Sequence, residues 1–220
     1  MIPSLVIFDL DGVLVDSEWL LATVWSSMLG EHDIEISPDT LIERFAGKTD
    51  GSMADVIARE TGRMPAQAML DFVRDRARAA LSSDLNPVEG AAAMLDALPH
   101  PSCVCSNSAS DRVRRSLTVT GLLAHFEDAH LFSADQVERA KPYPDLHLHA
   151  LSELGAKARE AVVIEDSATG IEAAGLAGIV SIGFLGASHT PADHGDALRK
   201  AGAAAIVETH DDLLKAIADL

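Results

Sequence analysis

This 220-residue chain is short of cationic side chains. Lysines and arginines number 17 against 34 aspartates and glutamates, a formal charge of −17. Such a surface repels nucleic-acid backbones and anionic lipid, so neither is expected as a partner; a local positive pocket for a small anion remains open. Aromatic residues make up only 4%, and Leu, Ile, Val and Ala must fill most of the core that an apolar content of 48% provides. The chain has two cysteines, Cys103 and Cys105. One residue apart, they share a face if they lie on a strand. They read as small core residues rather than a disulfide or metal site, which fits a reducing compartment. No run approaches the roughly 20 apolar residues that span a bilayer. The opening MIPSLVIFDLDG carries no basic leader and too short an apolar run for a signal peptide. A soluble, cytoplasmic protein is the expectation.

What the chain does have is alternation. Short β-branched runs at 5–8, 103–106, 129–132, 161–165, 179–183 and 204–207 read as strands, most of them continuously apolar and so buried on both faces. Helical periodicity fills 88–98, 110–120, 145–154, 168–177, 193–201 and 210–219. This order predicts an α/β fold built on a doubly wound parallel sheet. Between the first and second strands the alternation stops. Residues 17–85 show only helical patterns, at 17–29, 37–45 and 64–83, far more chain than a crossover needs. They are expected to form an inserted all-helical cap domain, with 1–16 and 86–220 forming the core.

Ligands of parallel sheets bind at the carboxyl ends of the strands, and there the sequence concentrates its chemistry. Asp9, Asp11 and Gly12 follow the first strand, Ser106 and Asn107 the second, and Glu165 and Asp166 the fourth; Lys141 stands in RAKPYPD after the third. Each piece alone has an ordinary explanation as a turn, a helix cap or a solvated lysine. Their recurrence at successive strand ends does not. Asp9, Asp11, Glu165 and Asp166 form a cluster of oxygen donors without His or Cys, which suits Mg²⁺. The ion would offset the repulsion of crowded carboxylates. Lys141, Ser106 and backbone N–H groups could hold phosphate oxygens, an apparatus for phosphoryl transfer. Of the pair Asp9 and Asp11, one carboxylate could attack phosphorus and the other could act as general acid and base. Gly12 would let the backbone turn tightly there.

The stretches DLDGVLVDSE, SNS, AKPYPD and VIEDSATGIEAAGLAG resemble, in order, the four motifs of the haloacid dehalogenase superfamily. The helical insert is similar to the cap of its β-phosphoglucomutase and phosphoglycolate phosphatase branch. The resemblance implies a Rossmann-like core with Asp9 as nucleophile, Asp11 as general acid and base, and Ser106 and Lys141 on the phosphate. It also implies Mg²⁺ held by Asp9, Asp166 and the Asp11 carbonyl, with Glu165 a ligand or a neighbour of one. Asn107 is expected on the substrate or capping the next helix. The cap loop RFAGKTDGS at 44–52 offers Gly47 for close backbone approach and Lys48 for a second anionic group. His189 and His194, in a late loop, are not expected to bind metal.

The function this implies is a Mg²⁺-dependent phosphatase acting on a small phosphorylated metabolite, probed first among sugar phosphates because 83–107 is similar to a stretch of bacterial phosphatases acting on 6-phosphogluconate and related sugar phosphates. A monomer is expected. Against the patterns of the resembled family, a phosphosugar mutase is disfavoured because KTDGSM, just after Gly47, holds no arginine, and a dehalogenase because Asp11 is present. A receiver-like phospho-switch would need neither Asp11 nor a cap.

Overall fold

The computed structural model describes residues 3–45, 50–188, 190 and 193–220. Gly47, Lys48 and His189, singled out above, lie outside the described residues. The chain divides into two compact units, Met1–Asp16 with Asn86–Leu220, and Ser17–Leu85.

The first strand, β1 (Leu5–Phe8), is buried at every position, as expected of a strand flanked on both sides and covered on both faces. The helical unit follows with α1 (Ser17–Gly30), α2 (Pro38–Phe45), α3 (Asp50–Thr61) and α4 (Ala66–Ser83). It has its own core, in which Trp25, Met28, Leu29, Ile57 and Met69 are buried together. α3 begins inside the stretch that the sequence pattern assigns to the 44–52 loop: Asp50 already sits in its acidic first turn, where a carboxylate complements the helix dipole.

The rest of the chain returns to the sheet. In order come α5 (Ala91–Ala97), β2 (Ser102–Ser106), α6 (Ser110–Val119), β3 (Leu131–Ser133), α7 (Asp145–Glu153), β4 (Ala161–Glu165), α8 (Ala168–Leu176), β5 (Val180–Phe184), α9 (His194–Ala201), β6 (Ala205–Val207) and α10 (His210–Ala218). The strands form a six-stranded sheet in the order β3-β2-β1-β4-β5-β6, with every pairing parallel. The α/β fold expected from the alternation is therefore the one formed. β3 begins two residues later than its β-branched pattern suggested, because Asp128–His130 wind into a single 3₁₀ turn. Cys103 and Cys105 are buried, unoxidised neighbours in one apolar cluster; hydrogen bonding to Cys105, and then burial, hold the Cys103 thiol well above the usual thiol range.

The strand order reverses direction at β1, which lies between β2 and β4. This switch point leaves a crevice beyond the strand ends, and the polar residues sit there.

Candidate active site

Three adjacent strands run out together. Asp9 continues β1 by one residue, its N–H still donating to the Ile164 carbonyl of β4 at 2.9 Å. Ser106 ends β2 and Glu165 ends β4. Asp9, Ser106, Lys141 and Glu165 are all buried.

Lys141 ties these ends together. Its Nζ donates to Asp9 Oδ1 at 2.7 Å, to the Cys105 carbonyl at 2.6 Å and to Glu165 Oε1. An ammonium has three donors, and all are engaged. Burial alone would lower the Lys141 pKa, but Asp9 and Glu165 hold it above its ordinary value. Asp9 moves up as well, to about 7. Desolvation is the main cause, and the attraction of Lys141 is outweighed when the charges of Glu165 and Asp11 are added. Lys141 is thus a fixed positive charge, while Asp9 bears the unfavourable side of burial.

Lys141 is itself held in place from β2. The Asn107 side-chain amide donates to the Lys141 carbonyl at 3.0 Å and accepts from its N–H at 2.9 Å. The amide thus bridges to the backbone of the lysine loop and does not cap α6, whose N-cap is Ala109.

Glu165 is fully buried and its second oxygen, Oε2, accepts from the Ser167 hydroxyl at 2.8 Å. Ser167 in turn caps α8 by accepting from the Gly170 N–H. A side chain at Gly170 would place its Cβ 1.9 Å from Glu165 Cδ, so this glycine is the space in which the carboxylate lies. Asp166 packs against Gly12 in the same way. Gly12 has φ +78°, and a Cβ there would meet Asp166 Oδ2 at 1.9 Å.

Asp9, Glu165 and Asp166 each bring a carboxylate oxygen within 4.8 Å of the others. An all-oxygen donor set with a desolvated, repelled carboxylate at its centre fits a hard divalent cation such as Mg²⁺. Asp9 and Asp166 suit direct ligation best, because both Glu165 oxygens already serve Lys141 and Ser167.

Asp11 is more exposed. Its Oδ1 accepts from Arg112 Nη2 at 2.8 Å and its Oδ2 from the Ser108 hydroxyl at 3.0 Å. Neither partner was anticipated. The available signal was Arg112 in the first turn of α6, where a cation opposes the helix dipole and needs another reason to be there. His194 was also read differently. It opens α9 rather than lying in a loop, and its Nε2 hydrogen-bonds to the Asp166 carbonyl, so it braces the backbone of that carboxylate.

These strand ends, their order and their residues define a class. Residues 6–184 match the haloacid dehalogenase-like hydrolase family, and the chain belongs to it. Among particular relatives, it is 31% identical to the 6-phosphogluconate phosphatase of Escherichia coli, over 84% of this chain and 83% of that one. Among solved structures, a conserved haloacid dehalogenase-like protein of unknown function from Agrobacterium tumefaciens superposes with a TM-score of 0.91 at 39% identity, covering 98% of both chains. A family hydrolase from Deinococcus radiodurans, solved with bound phosphate and sodium, gives 0.89 at 35% identity, covering 99% of this chain and 96% of its own.

Proposed function

We propose that this protein is a Mg²⁺-dependent phosphatase that hydrolyses a phosphorylated sugar through an aspartyl phosphate on Asp9. The observation that carries the reading is the buried lysine–carboxylate cluster: Lys141 bound to Asp9 and Glu165, with Asp166 beside them at the switch point of the sheet. The name of the Escherichia coli relative supports the substrate class.

Asp9 attacks phosphorus with one carboxylate oxygen as the bond to the sugar oxygen breaks. Lys141 fixes the rotamer of that carboxylate and supplies positive charge where the phosphoryl oxygens gather. Asp11, in its acid form, gives its proton to the departing sugar oxygen. As a carboxylate it then takes a proton from water, whose oxygen attacks phosphorus and frees Asp9. The products are the sugar alcohol group and inorganic phosphate. Ser106 and the N–H groups after β2 serve as phosphate donors. Asp9 and Asp166, with the Asp11 carbonyl, would hold Mg²⁺, which supplies charge neutralisation when bound. The helical unit, Ser17–Leu85, is the proposed cap domain, and Gly47 and Lys48 belong to its sequence.

The test is turnover of p-nitrophenyl phosphate with Mg²⁺ and with EDTA. Steady release of p-nitrophenol, abolished by EDTA and reduced at least about 10³-fold in Asp9→Asn, is the expected result. A stable phosphoprotein without turnover would point to a phospho-switch, and equal activity in Asp9→Asn would end the proposal.

A further inference from the structure

The Arg112–Asp11 contact does not fit a merely structural ion pair. If Asp11 is the acid and base of the reaction, its carboxylate must turn to the leaving oxygen and then to water. Both of its oxygens are instead engaged, by Arg112 and by Ser108. The contact with Arg112 must therefore be exchanged as the substrate arrives. That exchange leaves a guanidinium whose side chain is two-thirds buried and whose Nε is already buried without a hydrogen-bond partner. Lys141 offers no alternative for an anion there, since Asp9, Glu165 and Cys105 take all its donors. A guanidinium freed from one carboxylate is best satisfied by another, which matches its planar fork.

We propose that Arg112 is a specificity-determining residue that surrenders Asp11 in exchange for a carboxylate on the substrate, so that the enzyme prefers phosphorylated sugar acids to neutral sugar phosphates. This inference rests on the phosphatase reading above and adds the substrate class to it. Arg112 acts as the cradle for the substrate anion, and the same event frees Asp11 to work. A neutral substrate still binds through its phosphate, but it must separate the ion pair without supplying a replacement.

The test uses two acyclic substrates that differ at one end, 6-phosphogluconate with a carboxylate and sorbitol 6-phosphate with a hydroxymethyl group. The wild-type protein should favour the acid by about tenfold or more in kcat/KM, the scale of one charge-assisted contact. In Arg112→Gln the ratio of the two kcat/KM values should fall about 10- to 100-fold. In Arg112→Lys, which keeps the charge, the acid should remain preferred. A wild-type ratio near one, measured without any variant, would overturn the inference, as would an unchanged ratio in Arg112→Gln. Equal losses on both substrates would do the same, showing that Arg112 only positions Asp11. Turnover of p-nitrophenyl phosphate with neither sugar hydrolysed would remove this inference alone. No Mg²⁺-dependent turnover of any of the three would remove the phosphatase reading itself.

Discussion

Asp9 carries a burden that its neighbours create. Its folded-state pKa of about 7 lies above the ordinary 3.8, so folding favours the protonated form. That contribution is complete below pH 3.8 and is lost as pH rises through about 7. Metal-free protein should therefore be less stable at pH 8 than at pH 5.5 on account of this group. Asp9→Asn removes this titrating group along with one partner of Lys141, so it should flatten the fall in metal-free stability between pH 5.5 and pH 8 while abolishing turnover. Urea midpoints at the two pH values measure it; an Asp9→Asn protein with the parent's pH dependence would contradict the account.

His147 presents the opposite sign. It is fully buried on α7, and neither ring nitrogen has a partner within hydrogen-bond geometry. Burial, aided by the charge of Lys141 and opposed by the Ala173 backbone, lowers its pKa from 6.5 to about 3. The folded state favours the neutral ring, so stability is complete above pH 6.5 and is lost as pH falls toward 3. His147→Leu removes the group and roughly keeps its volume. It should match or exceed the parent at pH 7.5 by up to about 1 kcal/mol, and exceed it further at pH 5. A denaturation series that shows the variant weaker at both values would mean the imidazole makes a contact that matters.

At the scale of elements, the strands were legible because buried parallel strands are nearly all apolar, and β1, β2 and β4 are. The residues just beyond them were legible for the same reason: Asp9 and Glu165 stand out at the end of such runs. What hid was the set of contacts made across elements. Asn107 holding the backbone of Lys141, 34 residues away, and Arg112 reaching Asp11, 101 residues away, leave no local pattern. α3 hid because its buried residues, Met53, Ala54 and Ile57, are too few to impose a strong period. Gly170 was readable only as part of a motif, whereas the structure gives its reason. Gly170→Ala drives a Cβ into the Glu165 carboxylate, which cannot retreat because β4 and Lys141 fix it. We expect a loss of about 2–4 kcal/mol, measured by thermal or urea unfolding, together with lower kcat because Lys141 shifts with its partner. Ser167→Ala, which removes the cap on α8 and one Glu165 donor but adds no bulk, should cost only about 1–2 kcal/mol. Equal losses in the two would count against the steric explanation.

At the scale of the whole molecule, the acidity of the surface has to be told apart from the acidity of the site. A chain of net charge −17 attracts cations generally, but exposed carboxylates bind them weakly and are screened by salt. The cluster of buried Asp9 and Glu165 with half-buried Asp166 differs, because metal binding would relieve repulsion that folding has already imposed there. Mg²⁺ should therefore stabilise the folded chain by mass action, by about 2.7 kcal/mol at one hundred times its dissociation constant. The gain should persist in 0.2 M NaCl, which suppresses diffuse binding. It should be lost in Asp166→Asn, whose side chain keeps its shape against Gly12 but surrenders its charge. Hydrogen exchange can locate the effect: added protection should fall on the ends of β1 and β4 and on the Gly12 turn. The separately cored helical unit, Ser17–Leu85, should exchange as before. Protection spread evenly over both units, or stabilisation undiminished in Asp166→Asn, would show that the cation acts on surface charge and not on the cluster at the strand ends.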